Sequence, residues 1–247
     1  MNILVACKIV PDDQDVRTTG DGALDFSRAR PVVSAYDLNA IEAAVRIAEA
    51  NEGSRVTAIS VGPRSIDDSK VKKNILARGV DELLMVADGM AAGLDARATA
   101  SELARLVEGV EGWDVVVTGD GSADLYAKQV GVHLADCLGV PFVSGVVSAV
   151  LEGQSLIAKR LLEGGVEVVE VPLPAVVSVA PDFAEPRIAG MKDILAAGKK
   201  PMKVDAAEGV VRPVVEEVAV AAPERVDRKR CLFEDVNEFA AAVAAAL

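Results

Sequence analysis

The chain has 247 residues, of which 51% are hydrophobic, enough to bury a sizeable core in one or two domains. Only 3% of the residues are aromatic and the formal net charge is −12. Because base stacking and phosphate neutralisation need aromatic and basic side chains, this composition argues against a nucleic-acid-binding protein and favours proteins or small ligands as partners.

Apolar runs alternate with amphipathic segments through the first 140 residues. We predict strands at 2–6, 55–62, 82–86 and 114–119, and helices at 34–50, 65–79, 95–109 and 123–139. Continuous apolar strands that alternate with helices are typical of a parallel sheet covered on both faces. The polar segment 11–31 predicts a long loop with a small hairpin at Gly20-Asp21-Gly22.

The pattern changes from about residue 143. Short strands separated by Glu-Gly turns predict an antiparallel addition to the sheet edge up to about residue 180, followed by a short helix at 191–201. Residues 201–233 lack clear periodicity, and a helix is predicted at the end of the chain. We therefore expect an α/β fold with a Rossmann-like open, mostly parallel sheet, an antiparallel edge addition and a C-terminal extended arm.

The domain prediction follows from this change in pattern. Residues 1–200 are expected to form an α/β domain, and residues 201–247 an arm and helix that wrap a partner subunit. A frayed tail is the alternative for the arm. The N-terminal apolar run is too short for a signal peptide, and no segment reaches the roughly 20 apolar residues of a transmembrane helix. We expect a cytoplasmic protein without membrane insertion.

The residues that most often perform catalysis are scarce. Cys7, Cys137 and Cys231 are scattered, which favours reduced thiols over a disulfide framework or a zinc site. His133 is the only histidine and lies within a predicted helix, so neither a catalytic triad nor a histidine metal cluster is expected.

The segment TGDGSADLYAKQVG, residues 118–131, joins a predicted strand to a predicted helix and is a candidate ligand site. In an open parallel sheet, ligands bind beyond the carboxyl ends of the strands. Gly119 would allow close approach of the backbone, and a helix that begins near Ala123 would direct free amides to the same place. Asp120 and Asp124 would repel an anion, however. From the residues alone, a nucleotide site and an ordinary capped turn both stay open.

A longer stretch, AKRLLEGGVEVVEVPLPAVVSV at 158–179, resembles the signature of electron transfer flavoprotein beta subunits. The resemblance depends on the spacing of Arg160, Glu163, Glu167 and Pro174, and it continues through the Glu-Pro-Arg that ends at Arg187. Upstream segments, among them SAYDLNAIEAA and GDGSADLYAKQVG, are similar to the FixA-type branch of the family. The resemblance covers nearly the whole chain and is weakest after residue 200.

The resemblance implies an electron carrier subunit rather than an enzyme. The family forms a heterodimer with an alpha subunit, which holds most of an FAD near the interface. The beta subunit holds a second nucleotide, which is AMP in the common branch and FAD in electron-bifurcating branches. The implied redox partners are acyl-CoA-type dehydrogenases, with a quinone oxidoreductase as a further candidate. Two alternatives stay open: an FAD-binding beta subunit of an electron-bifurcating flavoprotein, and an ATP-binding stress-type module.

The resemblance also implies which residues form the nucleotide pocket. They are Ala6, Ser34, Ala35, Tyr36, Asp37, Val61, Gly119, Asp120, Gly121, Ser122, Ala123, Asp124, Leu125, Tyr126, Ala127, Lys128, Gln129 and Val130. Three loop positions match the family's pattern, namely Gly119, Asp124 and Gln129. Four depart from it, namely Gly121, Ser122, Leu125 and Tyr126, and these departures leave the choice between AMP and FAD open.

A second implied surface is the loop that docks on dehydrogenases. Residues 181–187, with the sequence PDFAEPR, correspond to the family's recognition loop, and Phe183, Glu185 and Arg187 are its expected docking residues. An exposed phenylalanine in a polar loop is typical of a binding hot spot. The alternative is that Phe183 folds back onto the sheet.

Overall fold

The computed structural model describes residues 1–209, 212–223 and 230–246. Within these residues the chain forms an α/β fold, as predicted, with a mostly parallel sheet of nine strands and two small antiparallel pairs. The strands are β1 Asn2–Ala6, β2 Ile9–Pro11, β3 Arg17–Thr18, β4 Leu24–Asp25, β5 Pro31–Val33, β6 Arg55–Gly62, β7 Glu82–Ala87, β8 Val115–Gly119, β9 Phe142–Glu152, β10 Ser155–Leu162, β11 Gly165–Pro172, β12 Ala175–Val179 and β13 Met202–Asp205. The helices are α1 Ala35–Glu49, α2 Ser69–Leu76, α3 Ala96–Glu108, α4 Val130–Leu138, α5 Met191–Ala197 and α6 Val236–Ala246.

The strand order of the large sheet is β11-β10-β9-β12-β8-β1-β6-β7-β13. From β1 the chain adds β6 and β7 on one side, and it then crosses to add β8 on the other side of β1. The winding of the sheet therefore reverses between β1 and β8. Ligands of open α/β sheets bind at such a reversal, beyond the carboxyl ends of the two strands.

Successive side chains along the central strands point to opposite faces of the sheet, and the core is therefore divided into two clusters, one on each face. Ile3 and Val5 of β1 belong to the cluster that includes residues of α1 and α2, whereas Leu4 belongs to the cluster that includes residues of α3 and α4. All three side chains are fully buried. This two-sided burial explains why the central strands are continuous apolar runs in the sequence.

The antiparallel addition consists of β9, β10 and β11, which pair with one another in hairpin order. The last predicted strand of this region differs from the expectation, because β12 inserts between β8 and β9 and pairs parallel with both. It therefore belongs to the parallel core. Val176 and Val177 of β12 are fully buried, as that central position requires.

Two predicted helices begin several residues later than the sequence indicated. The helix expected at 65–79 begins at Ser69, because Asp68 caps it by accepting from the amides of Lys70 and Val71. The helix expected at 123–139 begins only at Val130. The expectation of helix N-terminal amides near Ala123 is therefore wrong, and residues 123–129 form a loop.

The first part of the predicted arm continues the sheet. Met202–Asp205 form β13, which pairs parallel with β7 at the edge of the sheet. The closing helix is present as α6. Residues 210–211, 224–229 and 247 of the predicted arm lie outside the described residues. The division into two domains and the wrapping of a partner stay predictions.

Beyond β13 the described arm contacts the α/β domain at separate points. The carbonyl of Gly209 accepts from the Arg105 guanidinium of α3 at 2.5 Å. The Asp95 carboxylate accepts from two successive arm amides, at 214 and 215, at 2.7 and 3.0 Å. Ala221 then forms an isolated bridge with Ala23, next to β4. The arm thus lies back across its own domain.

Candidate functional site

A cleft of about 370 Å³ opens at the carboxyl ends of β1, β6 and β8. Ligand pockets span about 300–1,000 Å³, so this cleft lies in the range of a small nucleotide. Many of the implied pocket residues line it: Ala6, Asp37, Val61, Gly119, Asp120, Gly121, Ser122, Asp124, Leu125, Ala127, Lys128, Gln129 and Val130. The others, Ser34, Ala35, Tyr36, Ala123 and Tyr126, belong to the same segments but are not part of the lining.

Part of the cleft lining was missed by the sequence analysis. It contains Leu94, Asp95 and Leu103, from the segment between β7 and α3 and from α3 itself, together with Phe142 at the start of β9. Leu94 and Leu103 add apolar surface to the cleft, whereas Phe142 lies beside Thr118 and the start of α4. The signal was present in the sequence, because β7 was predicted and its carboxyl end lies at the same edge as those of β1 and β8.

Gly119 is the last residue of β8 and lies where this strand comes very close to the first turn of α1. A Cβ placed on Gly119 would lie 2.6 Å from Oδ1 of Asp37 and 2.9 Å from the backbone carbon of Tyr36. Real Cβ atoms do not make contacts this short, so position 119 accepts only glycine at this spacing of α1 and β8. The glycine that the sequence analysis assigned to ligand approach is therefore required first by helix packing.

The loop from Asp120 to Gln129 is held by contacts among its own side chains and α1. Tyr126 and Lys128 have φ values of +48° and +57°, a left-handed conformation that costs energy in residues other than glycine. The Tyr126 ring packs on Tyr36 with centroids 4.9 Å apart, and the Lys128 ammonium lies 4.7 Å above the Tyr126 ring. These contacts stabilise a fixed loop where the sequence predicted a helix.

Each aspartate of the loop is paired with a lysine. Lys8 Nζ lies 2.6 Å from Asp124 Oδ2, and Lys128 Nζ lies 2.6 Å from Asp120 Oδ2. Burial acts to raise the pKa of Asp124, but hydrogen bonds from Lys8 and Ser122 outweigh it and lower that pKa. The hydrogen bond with Asp120 raises the pKa of Lys128. The repulsion of an anion expected from the two aspartates is therefore largely neutralised.

Donors for a polar ligand lie at the end of the cleft where α4 begins. Val130 and Gly131 border the cleft, and the first amides of a helix have no intrahelical acceptor. Within the described residues, the Gln129 side chain makes no capping bond to them. Thr118, which also lines the cleft, has a buried Oγ1 without a hydrogen-bond partner in the described parts of the chain. These groups suit a phosphate or a sugar hydroxyl.

The family model of the electron transfer flavoprotein domain matches residues 23–209. The chain belongs to the electron transfer flavoprotein domain family. The match includes the loop after β8 and the segment around Arg187, and it covers most of the α/β domain. It places the chain among electron-transfer proteins and disfavours the alternative of an ATP-binding stress-type module.

The implied docking residues of this electron transfer flavoprotein domain differ in exposure. Phe183 is half-buried, packs against the larger core cluster and lines a small second cleft beside Arg46 and Val150. Arg187 pairs with Glu42 and Glu49 of α1, whereas Glu185 is exposed. Much of the Phe183 side chain therefore packs against the core, which fits the alternative that Phe183 folds back onto the sheet. The docking role of Phe183 stays a prediction.

More exposed apolar side chains follow this segment directly. Ile188 is 94% exposed, Met191 74% and Leu195 69%. Ile188 comes immediately after Arg187, and the other two lie on α5. The sequence analysis predicted the short helix but did not identify these side chains as exposed. Exposed apolar side chains that cluster along one segment are typical of a protein-binding surface.

Three further observations concern other kinds of site or segment. Cys7 at the end of β1 is buried, and burial followed by the nearby Asp37 charge raises the pKa of its thiol well above the usual range, which fits a packed rather than a reactive thiol. Across the described ranges, no group of three or more His, Cys, Asp or Glu residues is arranged to hold a metal ion. None of the helices in the described chain combines the length and apolarity needed to cross a membrane.

Proposed function

We propose that the chain is the beta subunit of a heterodimeric electron transfer flavoprotein of the FixA-type branch. It binds AMP in the cleft between β1 and β8 and helps an alpha subunit to hold an FAD. The assembly accepts electrons from, or delivers them to, acyl-CoA-type dehydrogenases. The chain itself positions cofactors and docks partners rather than transforming a substrate.

The observation that carries the proposal is the cleft at the reversal of the sheet. Its lining combines the loop whose sequence resembles the nucleotide loop of beta subunits with apolar side chains such as Leu94, which suit a planar base. The free amides at the start of α4 provide donors for a phosphate or a ribose, and the Thr118 hydroxyl lies beside them. The lining thus offers apolar surface to an adenine ring and backbone donors to a charged group.

The size of the cleft favours AMP over FAD as its occupant. At about 370 Å³ the cleft lies near the lower end of the range for ligand pockets. An FAD brings an isoalloxazine and a second phosphate in addition to the adenylate. The electron-bifurcating alternative requires the isoalloxazine to extend beyond this cleft, and we keep it as the second outcome of the test.

The composition of the purified two-chain complex tests the proposal. The chain is co-expressed with its alpha subunit, the complex is denatured, and the released nucleotides are separated by chromatography and counted against protein. We expect one AMP and one FAD per heterodimer. Two FAD molecules would support the bifurcating alternative. A complex that releases neither adenylate nor flavin would contradict both.

The alpha subunit is proposed to contact the C-terminal helix. Val236, Phe239 and Val243 lie at helical spacing on α6, and they are 80%, 54% and 41% exposed. An apolar helix face without cover is expected to bury itself against another surface. In this proposal α6 packs on the alpha subunit, and the segment with Ile188 and Met191 stays accessible to dehydrogenases.

A further inference from the structure

The first turn of α1 has the sequence of a capping box but does not form one. In Ser34-Ala35-Tyr36-Asp37, a capping box would have Ser34 accept from the amide of Asp37 while the Asp37 carboxylate accepts from the amide of Ser34. Instead, the Ser34 amide donates to the carbonyl of Lys8 at 3.0 Å, and Ser34 Oγ accepts from the amide of Ala123 at 3.2 Å. Both polar side chains are thus diverted from the helix, Ser34 to the loop after β8 and Asp37 to the ends of β1 and β8.

Asp37 joins the two strands at which the winding of the sheet reverses. One carboxylate oxygen accepts from the Lys8 amide, just beyond β1, at 2.7 Å. The other accepts from the Gly119 amide, at the end of β8, at 3.3 Å. The residue is only 5% exposed. Both oxygens are therefore engaged by the backbone, and the carboxylate acts as a spacer between the two strand ends that form the cleft.

The surroundings of this carboxylate make its charge sensitive to pH. Burial raises the pKa of Asp37 to about 7, although the amides of Lys8 and Gly119 act in the opposite direction. The titratable groups that face it are Lys8 and Cys7 near the end of β1 and Asp124 in the loop after β8. Lys8 is itself paired with Asp124, which limits the cationic charge available to Asp37.

We propose that Asp37 is a positioning residue whose ionised carboxylate fixes the spacing of the β1 and β8 ends, so that the cleft holds its nucleotide more tightly when Asp37 is charged. This inference rests on the proposed function and deepens it. A protonated carboxyl group has one oxygen that donates, and it no longer accepts equally well from both amides. Nucleotide affinity is accordingly higher above pH 7 than below it.

The Asp37→Asn variant of the full chain tests this role. Asparagine has nearly the same shape, but its NH2 group faces one of the two amides donor to donor. We expect the Kd for AMP, measured by calorimetry at pH 8, to rise roughly tenfold, the cost of one unmade hydrogen bond. Across pH 5.5–8.5 the wild type gains affinity with rising pH, and the variant lacks that gain. Because the AMP phosphate titrates near pH 6, the difference between the two profiles is the readout.

Asp68→Asn is the matched control. Asp68 also accepts from two backbone amides, those of Lys70 and Val71, but at the start of α2 and outside the cleft. We expect Asp68→Asn to keep the wild-type affinity and pH profile. Both of these amides donate to one oxygen, which asparagine keeps, whereas Asp37 uses both of its oxygens. A loss of affinity confined to Asp37→Asn therefore comes from the two-oxygen arrangement at the cleft and not from the change of aspartate to asparagine in itself.

Amide hydrogen exchange and AMP binding together show whether the proposed function or the positioning role of Asp37 has failed. Amide hydrogen exchange at Lys8 and Gly119 is expected to be faster in Asp37→Asn than in the wild type without any nucleotide, and unchanged in Asp68→Asn. If the wild type binds no AMP, the proposed function fails while exchange still decides the role of Asp37. Unchanged exchange in Asp37→Asn overturns the positioning role.

A comparison of AMP with its 2′,3′-dideoxy analogue shows whether Asp37 positions the strands or contacts the nucleotide directly. If Asp37 positions the strands, AMP and its 2′,3′-dideoxy analogue lose affinity by the same factor in Asp37→Asn. If the carboxylate instead bonds the ribose hydroxyls, the loss is confined to AMP, and the inference is wrong.

Discussion

The guanidinium of Arg187 lies against the buried carboxylate of Glu42, with Nε 2.7 Å from Oε2. The backbone amide of Arg187 donates to the same oxygen at 3.1 Å, so main chain and side chain are held together. A second pair, with Glu49, extends the contact along α1. This arrangement fixes the segment that leads into the exposed side chains of Ile188 and Met191.

The first prediction concerns this buried pair. Arg187→Gln leaves the Glu42 carboxylate with Arg46 as its remaining cationic partner, and we expect the free energy of unfolding to fall by on the order of 1–3 kcal/mol. Arg55→Gln, which removes the exposed pair with Glu82, is the control and should cost less than about 1 kcal/mol. Urea unfolding measures both. Equal losses would show that the Arg187 pair is an ordinary surface contact.

The second prediction is a pH dependence of stability from Asp37. Its pKa of about 7 in the folded chain lies above the roughly 3.9 of an unfolded aspartate. Between these values the folded state binds more protons than the unfolded state, so stability decreases as pH rises through this window. Relative to Asp37→Asn, the wild type should lose on the order of a few kcal/mol between pH 4 and pH 8. Parallel unfolding curves for the two proteins would contradict the assignment.

The third prediction concerns the contact between β8 and α1. Gly119→Ala places a methyl group 2.6 Å from Asp37 Oδ1, and we expect about 1–3 kcal/mol of destabilisation together with loss of AMP binding. Gly164→Ala is the control, because its Cβ would meet no atom within 4 Å. Thermal unfolding and calorimetry with AMP measure the two effects. An alanine at 119 that keeps wild-type affinity would show that this spacing does not matter to the cleft.

The fourth prediction tests the docking surface. The double variant Ile188→Ser/Met191→Ser should fold normally, because both side chains are largely exposed, and it should assemble with the alpha subunit because the proposed contact is on α6. We expect electron transfer from an acyl-CoA dehydrogenase to slow by about tenfold or more, which corresponds to losing one hot spot. Val168→Ser, 60% exposed on β11, is the control. A double variant that reacts at the wild-type rate would place the docking surface elsewhere.

The fifth prediction concerns the thiols. Cys137 and Cys231 are exposed and should react with iodoacetamide at pH 8 in the folded chain. Cys7 should not react until the chain unfolds, since it is buried and its pKa is raised. Mass spectrometry of the labelled chain counts the modified residues. Rapid labelling of Cys7 would mean that the end of β1 opens readily.

The order of strands and helices in the parallel core was predictable because it depends on local periodicity. The central strands are continuous apolar runs, and their helices begin at recognisable caps such as Asp95. Two strand pairings were not predictable from such patterns. β12 lies between β8 and β9, and β13 pairs with β7 more than 100 residues earlier in the chain. Both pairings depend on contacts between distant segments, which a local pattern does not encode.

The location of the candidate site was predictable from the sequence, but the secondary structure predicted for one of its segments was wrong. The segment after β8 contains Ala, Leu, Lys and Gln, which are all good helix formers, and so a helix was expected from residue 123. The structure forms a loop there because Ser34 Oγ bonds to the Ala123 amide and Lys8 pairs with Asp124. These partners lie 89 and 116 residues away in the sequence. Tertiary contacts of this range override local propensity.

The contacts of Gly209, Val214 and Ala221 with Arg105, Asp95 and Ala23 have a consequence for assembly. If the arm wraps a partner subunit, as the sequence predicts, these residues have to leave the domain first. Their contacts with the domain then compete with heterodimer formation and lower the apparent affinity by the fraction of molecules in which they are docked. Asp95→Asn, which turns an NH2 group toward the amides at 214 and 215, weakens this docking and is then expected to speed subunit pairing.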